Sequence, residues 1–199
     1  MENHARAVMG PKSEFHKMPT KIKKEYYSRI VSDVHAIVAI VASVYTIYFA
    51  CDDVYKHGDT AFTNFECLNT PRLSGLYIIP VSSAYCVYDI YICIVEIKFT
   101  AKECSDYLFH HIVGVLGAIV VLVCGQFPVA LSVGNLVSEC SNFCMNIRWR
   151  LLKHKMTETN WFFAASVVFM IVFFFSRVVF MLMLNLRALE VNKEFPWSS

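Results

Sequence analysis

Charge is scarce in this sequence. Asp, Glu, Lys and Arg make up 17% of its 199 residues, against about 25% in an ordinary soluble domain. That shortage argues against a water-soluble globule. No cleavable signal peptide is visible in the polar, basic first 29 residues, so the first apolar helix is expected to act as its own insertion signal. The eight cysteines include no Cys-x-x-Cys and suggest no disulfide framework. Cys86, Cys93, Cys124, Cys140 and Cys144 fall in predicted helices, where a free thiol packs as a small apolar group. Cys51 and Cys67 are the pair placed to meet on one side of a membrane. No Asn-x-Ser/Thr sequon occurs, and no internal repeat or second domain is evident.

Apolar residues are abundant, at 56%, and they cluster. Crossing a bilayer takes about 20 consecutive, mostly apolar residues. Five blocks approach or exceed that length: Ile30–Cys51, Leu73–Glu96, Tyr107–Cys124, Pro128–Ile147 and Trp161–Leu186. The expected fold is an all-α, polytopic transmembrane helix bundle with about five spans. Residues 1–25 read as a basic cytosolic tail in which Pro11 and Pro19 discourage helix, 26–186 as the membrane domain, and 187–199 as a short polar tail.

The charges are unevenly placed. Thirteen Lys and Arg lie before the first block and in the loops after the second and fourth, against four on the other side. The positive-inside rule then puts the N-terminus in the cytosol. Beside a membrane helix, a basic tail reads as an anchor to headgroups, and no nucleic-acid partner is expected.

Ionisable groups inside spans are functional candidates. In the fourth block Asn135, Glu139, Asn142 and Asn146 are spaced four, three and four apart, on one helix face. In the second block Ser82, Cys86, Asp89, Cys93 and Glu96 keep that rhythm. In the third, Tyr107, His111, Gly114 and Ala118 share a face with His110 beside it; in the first, Ser32 and His35 lead into Ala39, Ala42 and Thr46. The bland reading is that such groups bind one another between helices. Depth adds to it: with the inferred topology, His35, His110, His111, Asp89, Glu139, Asn142 and Asn146 fall in the cytosolic half, where one shared polar cavity, with Asp89, His111 and Glu139 in it, would explain the pattern. Arg177 stands apart, in the middle of the fifth block, and needs an acidic or carbonyl partner.

An ordered set of residues resembles a known family: Tyr27-Ser28-Arg29-Ile30-Val31-Ser32 with His35, then Asp89, then Phe109-His110-His111, then Glu139-Cys140-Ser141 with Asn146-Ile147-Arg148-Trp149, then Phe174-Phe175-Ser176-Arg177. The set is similar to the TLC-domain family, named for TRAM, Lag and CLN proteins, over roughly residues 21–185. The resemblance implies a multi-pass protein of the endoplasmic reticulum that handles lipids. It implies a further helix at each end, so this chain reads as shortened. The family's ceramide synthases join fatty acyl-CoA to a sphingoid base, and their paired histidines match His110 and His111, which would be the catalytic pair. Where those enzymes carry a His-Asp pair and a second Asp, this chain reads RWRLLKHKMTETN, with His154 and Glu158 but no aspartate.

Two functions follow. The preferred one is non-enzymatic lipid handling in membrane lipid homeostasis, with His35, Asp89, Glu139, Asn142, Asn146 and Arg177 holding the lipid. The alternative is N-acyl transfer from acyl-CoA, with a histidine as general base. A metal site is disfavoured because adjacent histidines on a helix point about 100° apart. A proton-coupled transporter lacks a broken helix pair. No cofactor is called for; the partners are membrane lipids and, for the enzyme, fatty acyl-CoA.

Overall fold

A computed structural model describes residues 14–49, 60, 73–98, 101–124 and 129–194. The described residues are helical, as the apolar blocks require: in lipid, backbone groups must be satisfied within the chain, and a helix does this locally. A short α1 (Glu14–Lys17) precedes α2 (Thr20–Tyr48). Next come α3 (Leu73–Tyr91), continued by a π-helical turn (Ile92–Ile97), and α4 (Ala101–Cys124). The fourth rod is composite: α5 (Val129–Asn135), a 3₁₀ turn (Leu136–Glu139) and α6 (Cys140–Lys153). The fifth joins α7 (Asn160–Phe173), a π-helical turn (Phe174–Val179) and α8 (Phe180–Glu194). Cys51 and Cys67 lie outside the described residues.

The five apolar blocks thus become five helical rods. Three stretches are long and apolar enough to cross a membrane: Thr20–Tyr48, Gly75–Ile97 and Asn160–Arg187. In α4 the apolar run, Leu108–Val123, is shorter, and polar first turns complete the rod. One boundary differs from the sequence reading. Helix α2 starts at Thr20, ten residues before the apolar block, because Pro19 sets up a helix start: Lys23 N–H bonds its carbonyl at 3.1 Å. Proline lacks an N–H but tolerates a first turn. Phe15 is buried and packs edge-on against Tyr26 and Tyr27 at 5.2 and 5.8 Å, which fastens α1 to α2.

Helix α2 is central, touching α3, α5, the 3₁₀ turn and α6. Its buried residues include a run of small ones: Ser28, Ala36, Ala39, Ser43 and Thr46. Small side chains bring helix backbones close, and the Ser43 hydroxyl lies 2.8 Å from the Val133 carbonyl of α5. Gly134 extends this closeness. A Cβ there would sit 3.0 Å from the Leu184 methyls of α8 and 3.6 Å from Ile47 of α2. The basic ends of the rods meet: Lys24 pairs with Glu96 at 2.7 Å, Lys153 with Glu25 at 3.9 Å, and Arg148 Nε donates to Ser166 Oγ at 3.1 Å.

Candidate functional site

Two polar networks run through the bundle. The outer one joins α2 to α6 near the basic end. Arg29 Nη1 donates to Asn146 Oδ1 at 2.7 Å and Nη2 to Glu25 at 3.2 Å, with the guanidinium 4.5 Å from the Trp149 ring centroid. Asn146 Nδ2 donates in turn to Asp33 Oδ1 at 2.8 Å, and Arg150 binds the other Asp33 oxygen. Asn146 is therefore a helix-to-helix clamp, held by Arg29 and Asp33 of α2.

The inner network centres on Asp89, whose side chain is completely buried. A carboxylate in that setting needs several partners. Ser28 Oγ donates to Oδ1 at 3.1 Å, Tyr85 OH donates to Oδ2 at 3.2 Å, and His111 Nε2 stands 3.3 Å from Oδ2. The Tyr85 ring stacks on His35, centroids 3.9 Å apart and planes 11° from parallel. His35 Nε2 lies 3.1 Å from Ser82 Oγ, and its Nδ1 lies 3.8 Å from Glu139. Asn142 Nδ2 donates to Glu139 at 2.8 Å, and its Oδ1 accepts from Arg177 Nη2 at 3.1 Å. Arg177 Nε donates to Ser141 Oγ at 2.9 Å.

Arg177 therefore does not stand apart. The π-helical turn aims it across α6 into the same network as Glu139. Its partners are a hydroxyl and an amide carbonyl, which satisfies the expected need for a partner oxygen.

Beside the inner network lies a cavity of about 700 Å³. His110, Glu139 and Arg177 supply its charged or ionisable wall. Gly114, Gly117 and Ala118 of α4 form a smooth side, and Ile79, Val121 and Met181 are among its apolar residues. Gly114 approaches α3, where a Cβ would meet Cys86 Sγ at 3.9 Å; a Cβ on Gly117 would meet nothing within 4 Å.

The single cavity expected for His35, Asp89, His111 and Glu139 is thus divided. Glu139 faces it, while His35, Asp89 and His111 stand behind its wall. Of the two adjacent histidines expected to face it, His110 does so; successive helix residues differ by about 100°, and His111 turns to Asp89. The stripe of Asn135, Glu139, Asn142 and Asn146 is also divided. The 3₁₀ turn winds at about 3.0 residues per turn and shifts the faces of α5 and α6 relative to each other. Asn135 and Glu139 line the cavity, Asn142 braces Glu139 and Arg177, and Asn146 clamps α2. Tyr85 and Asp33 were missed by sequence reasoning. The four-residue step from Tyr85 to Asp89 was available as a signal, as was the presence of an acid, Asp33, in an otherwise apolar span.

The TLC domain of the TRAM, LAG1 and CLN8 proteins matches residues 26–198. The chain belongs to the TLC-domain family. It is accordingly an integral membrane protein of a lipid-related family. No curated protein and no solved structure gives a match. In this TLC-domain protein, neither His154 nor Glu158 of the α6–α7 turn lines the cavity. That turn is shaped instead by Lys155, in the left-handed region at φ 58°, and by Thr159, whose hydroxyl caps α7 by accepting from Phe162 N–H at 3.3 Å.

Proposed function

We propose that this TLC-domain protein handles membrane lipids by holding an amphiphile in its cavity, and so contributes to lipid homeostasis in the endoplasmic reticulum. The observation that carries the reading is the cavity's polarity along its length. His110 and Val121 are eleven residues apart on α4, about 16 Å at 1.5 Å per residue. A polar headgroup fits beside His110, Glu139 and Arg177, with Asn142 holding the last two in place. An acyl chain fits along Gly114, Gly117 and Ala118 toward Ile79, Val121 and Met181. Asp89, His111, Tyr85 and His35 brace that wall without touching the lipid. We also place the chain nearest the branch of TLC domain-containing protein 4, on the likeness of its ordered residue set, with a cytosolic N-terminus.

One observation favours the second reading, acyl-CoA-dependent N-acyl transfer: an imidazole, His110, on the cavity wall, where it could take the proton of an attacking amine. Purified protein in lipid nanodiscs separates the two. Gly117→Leu should fill the cavity and weaken retention of a labelled lipid about tenfold, the effect of losing roughly 1.4 kcal/mol, with thermal unfolding unchanged. Unaltered retention would remove the cavity reading. With labelled acyl-CoA and amine acceptors, we expect no acceptor-dependent release of CoA; release abolished by His110→Ala would establish the transferase.

A further inference from the structure

A second pocket, of about 210 Å³, lies between α2 and the end of α3, at the basic end of the bundle. Three tyrosines line it, Tyr27, Tyr88 and Tyr91, together with Lys24, Ser28 and Glu96. We infer that this pocket is a recognition site for a phosphocholine group, with the tyrosine rings taking the quaternary ammonium and Lys24 the phosphate.

The chemistry is specific. A quaternary ammonium has no N–H to donate and is held by aromatic faces, whose quadrupoles attract a diffuse cation. Three rings on one small pocket supply that. The Glu96 carboxylate adds negative charge beside them, but Lys24 already donates to its Oε2 at 2.7 Å and to its backbone carbonyl at 3.4 Å. A trimethylammonium needs no hydrogen-bond acceptor, so it can sit against the rings and beside this carboxylate without displacing Lys24 from it. Lys24 has three N–H donors. Two go to Glu96, and the third remains for a phosphate oxygen. The π-helical turn Ile92–Ile97 carries Glu96 at the end of the rod, where Lys98 stops it in the left-handed region at φ 55°.

Position agrees with chemistry. Lys24 lies four residues into α2 and Glu96 one residue before the end of its span, so the pocket sits at the level of a bilayer's headgroups. The pair is 44% and 37% exposed, leaving the mouth open. Tyr88 and Tyr91 are exposed at the outer wall, within reach of a lipid arriving from the bilayer. This site is separate from the cavity and does not depend on the function proposed for it.

Tyrosines also gather at membrane interfaces without binding any one headgroup, and the test separates the two cases. The full chain is placed in nanodiscs of phosphatidylcholine and phosphatidylethanolamine in equal amounts with identical chains. It is then released and weighed with its retained lipid by native mass spectrometry. We expect retained phosphatidylcholine to exceed phosphatidylethanolamine about tenfold. Tyr91→Leu and Tyr88→Leu should each erode that preference, Tyr91→Phe should keep it, and Gly117→Leu in the cavity should leave it intact. Equal retention of the two lipids, or a preference that survives the Tyr88→Leu/Tyr91→Leu double variant, overturns the site. Both tyrosines are surface positions, and thermal unfolding confirms that the variants are folded. Soluble phosphocholine then distinguishes the sources. Displacement of the retained lipid makes the free headgroup sufficient, and persistence makes the bilayer lipid the ligand.

Discussion

Asp89 receives Ser28, Tyr85 and His111 at one buried carboxylate. Removing it takes the shared acceptor from three polar groups, and the loss of one partner from a buried pair costs roughly 3–5 kcal/mol. Asp89→Ala should therefore lower thermal stability in nanodiscs sharply, and Asp89→Asn less, since the amide oxygen still accepts. An unchanged melting temperature in Asp89→Ala would show that the network carries no stability. At this scale much was legible. The step of residues along each block singles out Asp89, His111 and Glu139. Which of two adjacent histidines faces the cavity was not, because that choice depends on where α3 presents Asp89. Tyr85 escaped notice because a tyrosine in an apolar run reads as bulk, although its hydroxyl is what links Asp89 to the ring stacked on His35.

The elements depart from ideal helices where the chemistry is. The 3₁₀ turn ends on Glu139, and the π-helical turn of the fifth rod carries Arg177. Neither irregularity leaves a mark in an apolar window, which counts residues and is blind to how tightly they wind. That is why four polar residues at helical spacing suggested one site and serve three. Glycine gives a sharper contrast. A Leu side chain at Gly134 would press on Leu184 and Ile47, and overpacking of this kind costs about 1–3 kcal/mol. Gly117 opens on empty space. Gly134→Leu should lower the unfolding temperature while Gly117→Leu leaves it in place, a comparison one thermal-shift series makes. Equal effects would mean that the cavity beside α4 is closed in the membrane.

At the scale of the whole molecule, one end of the described bundle is basic, and there Lys24, Arg29, Arg148, Arg150 and Lys153 each find a partner. The five apolar blocks were plain in the sequence because burial in lipid demands long apolar runs. The order in which the rods pack was not, since every rod is apolar around much of its circumference. From the basic asymmetry we expect the N-terminus in the cytosol. A protease site placed ahead of Met1 should be cut in sealed vesicles with the cytosolic face outward; protection would invert the topology and put the phosphocholine pocket in the opposite leaflet.

Arg177 has a consequence for how the protein is made. An arginine in mid-span costs about 2.5–3.5 kcal/mol to insert. Its two partners, Ser141 and Asn142, are 36 and 35 residues upstream. Synthesis runs from the N-terminus, so α6 leaves the ribosome before α7 and α8. When Arg177 emerges, the oxygens that receive its guanidinium have already been delivered, and the charge can pass from the translocon to its partners without residing in lipid alone.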